Sequence, residues 1–116
     1  MKKLLINSLT FIFLISIPFA QTIEGTWKMS PVAGALGVGP ALGDVSWWAN
    51  SEGDVATRAC FFDDQYVFYA NGSFKNILGS ETWNEAWQAG VDADGCGAPV
   101  APHDGSNAAT WSVDET

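Results

Sequence analysis

Residues 60–78 read CFFDDQYVFYANGSFKNIL. Tyr66, Val67, Phe68 and Tyr69 are aromatic or β-branched, Asn71-Gly72 is a turn signal, and an apolar pattern resumes at Phe74. The stretch predicts a β-hairpin. A two-residue turn on Asn71-Gly72 pairs Tyr69 with Phe74 and mixes polar with apolar side chains on both faces. A three-residue loop, Ala70-Asn71-Gly72 with a left-handed Gly72, pairs Phe68 with Phe74 and Tyr69 with Ser73. It gathers Tyr66, Phe68, Phe74 and Leu78 on one face and Gln65, Tyr69, Ser73 and Lys75 on the other. A one-residue slip exchanges the faces, so the three-residue loop is the expected one. The aromatic face is the expected core.

Two further stretches alternate with period two. In residues 22–29, Ile23, Gly25, Trp27 and Met29 face one way and Thr22, Glu24, Thr26 and Lys28 the other, which predicts a half-buried strand. Gly25 is expected to let a neighbouring backbone approach the ring of Trp27. In residues 108–113, Ala109, Trp111 and Val113 alternate with Thr110 and Ser112. The hairpin and these two stretches make four strands, too few to close a barrel, with an unpaired edge. The expected chain is therefore the front of a longer reading frame, and its sheet is incomplete.

The first twenty of the 116 residues have the form of a secretory signal peptide. Lys2 and Lys3 precede an apolar run, and Ala20 offers a small residue at a cut site. Asn7, Ser8, Thr10, Ser16 and Pro18 interrupt the run, which argues against a transmembrane helix. No cysteine follows the cut to carry a lipid anchor. Residues 21–116 then form one small domain, exported to the periplasm, the cell surface or the medium. Cys60 and Cys96 are the only cysteines, and an oxidising compartment favours a disulfide between them. That bond pins the loop of residues 91–107 to the base of the hairpin.

The whole chain carries a net charge of −8; without Lys2 and Lys3 it is −10. Only Lys28, Arg58 and Lys75 remain basic. Nucleic acid needs clustered cations and is excluded as a partner. Membrane contact after signal cleavage and sulfated or uronic polysaccharides are disfavoured for the same reason, whereas neutral glycans are not.

Residues 30–50 hold six glycines or prolines without a sustained period and read as a loop. Gly37, Gly39 and Gly43 invite a phosphate-loop reading, but no lysine follows and Pro40 interrupts. Trp47-Trp48 reads either as packing or as a platform on which a sugar ring stacks. Residues 51–57 read as a polar connector, and Asp63-Asp64 as a bend. Residues 79–90, GSETWNEAWQAG, are the one helical candidate, with Ser80 as cap and Gly90 as stop. On that helix Trp83 and Trp87, like Glu81 and Glu85, are one turn apart. Paired carboxylates can serve a glycosidase as acid and base. Asp92, Asp94 and Gly95 open like a calcium loop, but no glutamate completes an EF-hand, which leaves a looser calcium site at Asp92 and Asp94. Asp63-Asp64 is a weaker calcium candidate. His103, the only histidine, lies in a turn and has no nucleophile at a recognisable spacing.

EGTWKM, YVFYANGSF and ATWSVDE together resemble the front of a lipocalin-like β-barrel, whose first strand carries a Gly-x-Trp motif matched by Gly25 and Trp27. More narrowly, GALGVGPALGDVSWWANS, TRACFFDDQYVF, LGSETWNEAWQ and CGAPVAPHDGSNAATW resemble small secreted modules of marine Bacteroidetes found alongside family 16 glycoside hydrolases. The resemblance spans residues 24–113. It implies an all-β fold, a partial antiparallel lipocalin-like barrel or sheet with one short helix, preceded by the signal-peptide helix. It implies a non-catalytic accessory role in neutral-polysaccharide degradation and a downstream domain. It supplies no catalytic residue. Where those hydrolases carry an Asp two positions after their first Glu, Trp83 follows Glu81. For stacking, the expected residues are Trp47, Trp48, Trp83 and Trp87, with no cofactor. The alternatives are a lipocalin-like binder of a small apolar ligand and a fragment of a glycoside hydrolase using Glu81 or Glu85.

Overall fold

A computed structural model describes residues 22–114. The expected signal peptide and its helix lie outside the described residues.

The hairpin is formed by β4 (Gln65–Phe68) and β5 (Ser73–Ile77), with Phe68 opposite Phe74 and Tyr66 opposite Asn76. Its loop is the three-residue one. The Tyr69 N–H donates to Ser73 O at 2.9 Å, the Gly72 N–H donates to Tyr69 O at 3.0 Å, and Gly72 has φ +86°. Asn71 Oδ1 accepts from both the N–H and the hydroxyl of Ser73, which fixes the turn. β1 (Gly25–Trp27) pairs antiparallel with β4, and β8 (Ala109–Thr110) pairs antiparallel with β5. The result is an open four-stranded sheet in the order β1-β4-β5-β8. Two ribbons flank it: β2 (Gly37–Val38) with β3 (Trp48–Ala49), and β6 (Thr82–Asn84) with β7 (Gly95–Gly97). Every described pairing is antiparallel, and the described strands do not close into a barrel.

The aromatic face is less buried than expected. Phe68 packs edge-on against Phe74 at 5.0 Å and against Trp111 at 5.8 Å, yet these rings are only half-buried. The best-buried apolar side chains are Cys60, Phe62, Val67 and Leu78. β1 lies on the open side of the sheet, so Trp27 is 50% exposed rather than half of a core strand. Its indole N–H is instead satisfied locally by Ile23 O at 2.6 Å. Gly25 is needed for its own backbone, at φ +124°, because no neighbouring atom crowds its Cβ position.

Among the described residues, three short helices replace the single one expected there. α1 (Glu52–Thr57) begins at a capping box in which Ser51 and Asp54 bond each other's backbone N–H. α2 (Ala59–Phe62) follows at once, so the chain enters the hairpin from a helix and not from an extended lead-in. Residues 79–90 are not one helix. Their first half is β6, and only α3 (Ala86–Ala89) is helical, stopped by Gly90 at φ +68°. β7 supplies a partner strand to Thr82, Trp83 and Asn84, which outweighs helix formation in so short a segment. The Cys60–Cys96 disulfide joins α2 to β7, tying the second ribbon to the base of the hairpin. No helix among the described residues is long and apolar enough to cross a membrane.

Candidate functional site: a tryptophan–arginine surface and a polar cavity

Asn50 places the Trp47-Trp48 pair. It is only 2% exposed. Its Oδ1 accepts from the Leu36 N–H at 2.8 Å, and its Nδ2 donates to Val32 O at 3.0 Å and Ser51 O at 3.2 Å. One side chain thus ties residues 32–36 to the start of α1. The nearby glycines serve packing and not phosphate. A Cβ on Gly39 would overlap the Asp44 carbonyl, and one on Gly37 would overlap the Val45 side chain. The Trp47 N–H donates to Val38 O at 3.1 Å, while Trp48 pairs with Val38 within the ribbon.

Trp83 arrives from the other side. It lies opposite Cys96 in the β6–β7 ribbon, and Cys96 is bonded to Cys60 two residues after Arg58. The Arg58 guanidinium therefore sits 4.3 Å from the Trp83 ring centroid and 4.9 Å from that of Trp48. Glu85 completes the group: its Oε1 accepts from the Trp83 indole N–H at 3.0 Å and lies 3.5 Å from Arg58 Nη1. Cation–π attraction and the ion pair hold one guanidinium between β3 and β6. Over this cluster runs a shallow depression of about 330 Å³ lined by Leu36, Val38, Trp47, Trp48, Arg58 and Glu85. Trp47 stands at its side, 69% exposed.

Three of the four tryptophans singled out from sequence thus meet around Arg58. Trp87 does not: it is 80% exposed on α3 and lines neither this depression nor the cavity beside it.

That second cavity holds about 220 Å³ between the sheet and the segment of residues 82–89. Tyr66 and Asn76 reach it from paired positions on β4 and β5, and Trp83, Asn84, Glu85 and Gln88 from the covering segment. Asp64 is at its base, 2% exposed. Asp64 Oδ2 accepts from the Thr82 hydroxyl at 2.6 Å, while Oδ1 has no hydrogen-bond partner. Burial pushes the Asp64 carboxyl up to about 6, against the Thr82 bond, with neighbouring Asp63 adding repulsion. Burial likewise raises the Tyr66 phenol, and the Asp64 charge adds to it. Asn76 Oδ1 is the other buried oxygen without a partner among the described residues.

Asn76 was not legible as a site residue, and Asp64 only as half of a bend and a weak calcium candidate. The C-cap of α2 falls at Asp63, which leaves Asp63 exposed and turns Asp64 inward. The two carboxylates therefore open on different cavities and do not form a shared cation site. Asp94 is engaged elsewhere: its Oδ1 accepts from the Ala86 N–H at 2.8 Å and caps α3, while Asp92 is exposed. Among the described residues no three His, Cys, Asp or Glu side chains cluster at metal-ligand spacing. Glu81 lines a groove beside the disulfide, whereas Glu85 is held by Arg58 and Trp83 in the other two cavities. The two glutamates share no cleft, so the facing pair of a glycosidase is not formed by them. His103, exposed, rims the polar cavity, and its N–H donates to Val100 O at 2.9 Å.

Comparison with protein-family models, with curated proteins and with solved structures finds no match.

Proposed function

We propose that this protein is an exported, non-catalytic module that binds neutral polysaccharide beside glycan-degrading enzymes. The observation that carries the reading is the exposed indole of Trp47, flanking a depression that Trp48 and Arg58 also line. An indole face accepts the C–H face of a pyranose, and Arg58 and Glu85 at the rim supply polar partners for its hydroxyls. The net charge of −8 fits an uncharged ligand better than an anionic one. A disulfide is consistent with an oxidising, exported environment. The lipocalin-like reading of the sheet rests on Gly25-x-Trp27 in β1 and on the antiparallel hairpin that follows.

The test is titration with laminarin, a neutral β-glucan, followed by tryptophan fluorescence. The expected result is a saturable change that Trp47→Ala weakens roughly tenfold or more and that Trp87→Ala leaves in place. No saturable change with laminarin or with other neutral glycans would refute the reading.

A further inference from the structure

The polar cavity behind Trp83 is separate from the exposed depression but shares Glu85 with it. Burying a carboxyl oxygen without a hydrogen-bond partner costs free energy, and few native groups are left so. Two unpartnered buried oxygens, the carboxyl Oδ1 of Asp64 and the amide Oδ1 of Asn76, belong to residues that line this one cavity. The Thr82 hydroxyl holds the far oxygen of Asp64, fixing the carboxyl plane with Oδ1 left over. Tyr66 and Asn76, directly opposite across β4 and β5, hold a ring and an amide side by side.

We infer that this cavity is a recessed subsite for a single neutral hexose ring, two of whose hydroxyls donate to Asp64 Oδ1 and Asn76 Oδ1. The inference deepens the glycan reading and rests on it. Three features select this ligand. At about 220 Å³ the cavity lies below the roughly 300–1,000 Å³ that holds drug-sized ligands, which suits one ring and not a chain. Phe61, Tyr66 and Trp83 offer aromatic surface to the ring's C–H groups. The polar lining mixes acceptors with donors, because the amides of Asn76 and Gln88 and the phenol of Tyr66 all donate. A hydroxyl donates and accepts, and satisfies such a lining. A primary ammonium only donates, so it leaves those groups unmatched.

The experiment follows indole and side-chain amide signals of the full protein by NMR during separate titrations with D-glucose, laminarin and methylammonium. Glucose is expected to shift the Trp83 indole and the Asn76 and Asn84 amides while leaving Trp47 unmoved; laminarin is expected to shift both sets. Asn76→Ala should abolish the glucose response and weaken laminarin about tenfold. Asp64→Asn, which keeps the shape, should weaken both, and the amide dispersion of each variant verifies its fold. Laminarin binding unchanged in both variants, with no glucose response, overturns the subsite and leaves the polysaccharide reading standing. A glucose response lost in Asn76→Ala, with laminarin silent, supports the subsite and removes the polysaccharide reading. A response to methylammonium in place of glucose overturns the hexose assignment, and no response to any ligand overturns both readings.

Discussion

The guanidinium of Arg58 lies 4.3 Å from the ring centroid of Trp83, although 25 residues separate them in the chain. Trp48 lies 4.9 Å from the same group, so one cation joins the β2–β3 ribbon to the β6–β7 ribbon. Removing it with Arg58→Ala leaves Glu85 without its ion-pair partner and the two rings without their common contact. The expected loss is about 1–2 kcal/mol, since the group is only partly shielded from water. Arg58→Lys keeps the charge but not the planar stack, and recovers only part of that loss. Urea unfolding followed by tryptophan fluorescence measures both, and equal stability of Lys and Arg variants would show that stacking contributes nothing.

Cys60 and Cys96 are 36 positions apart, and their bond closes a covalent loop around the hairpin. In the chain-entropy account, opening a loop of that length costs about 4 kcal/mol. The core is thin, because no large side chain among the described residues is completely sealed from solvent. Cys60→Ser with Cys96→Ser is therefore expected to leave the protein largely unfolded at 37 °C. Near-ultraviolet circular dichroism reads this out, and a native spectrum in the double variant would refute it.

Asp64 gives stability a pH dependence of unusual sign. Its folded carboxyl is raised to about 6, above the unfolded value, so the folded protein holds the extra proton between about pH 4 and pH 6. Asp64's contribution to stability is therefore greatest at acid pH and declines as pH rises through that window. The decline is on the order of 2–3 kcal/mol and flattens above that window. Asp44, Asp54 and Asp104 are lowered by hydrogen bonds, chiefly from Ser46, Ser51 and Ser106, and act in the opposite sense. Their contribution is present above pH 4 and is lost only as pH falls further. Comparing wild type with Asp64→Asn at pH 4.5 and pH 7 isolates the Asp64 part. A variant whose stability changes with pH as the wild type's does would contradict it.

Asn50→Asp is close in shape and different in chemistry. The carboxylate can still accept from the Leu36 N–H, but it cannot donate to Val32 O or Ser51 O. Burying that charge beside two carbonyls is expected to cost about 2–4 kcal/mol. Hydrogen exchange should show the amides of Gly34, Leu36 and Trp47 losing protection before those of the β4–β5 hairpin. Uniform loss across the sheet would mean that Asn50 does not act locally.

Local pattern alone determined the hairpin register, its left-handed Gly72 and the faces of Phe68 and Phe74. A period of two and a glycine turn leave little freedom there. The Cys60–Cys96 pairing was equally legible, since a chain with two cysteines admits one intramolecular bond. The capping box of Ser51 and Asp54 was present in the letters but masked by Gly53 and by the shortness of α1. Tertiary structure alone decided the rest. Residues 82–84 became a strand because β7 was there to pair with them, and helical spacing of Trp83 and Trp87 then lost its meaning. Trp48, Arg58 and Trp83 met because the disulfide and the Asn50 bonds fix three distant segments. Asp64 turned inward because the C-cap of α2 falls at Asp63. Burial of a carboxyl depends on what surrounds it in space, and no spacing along the chain encodes that.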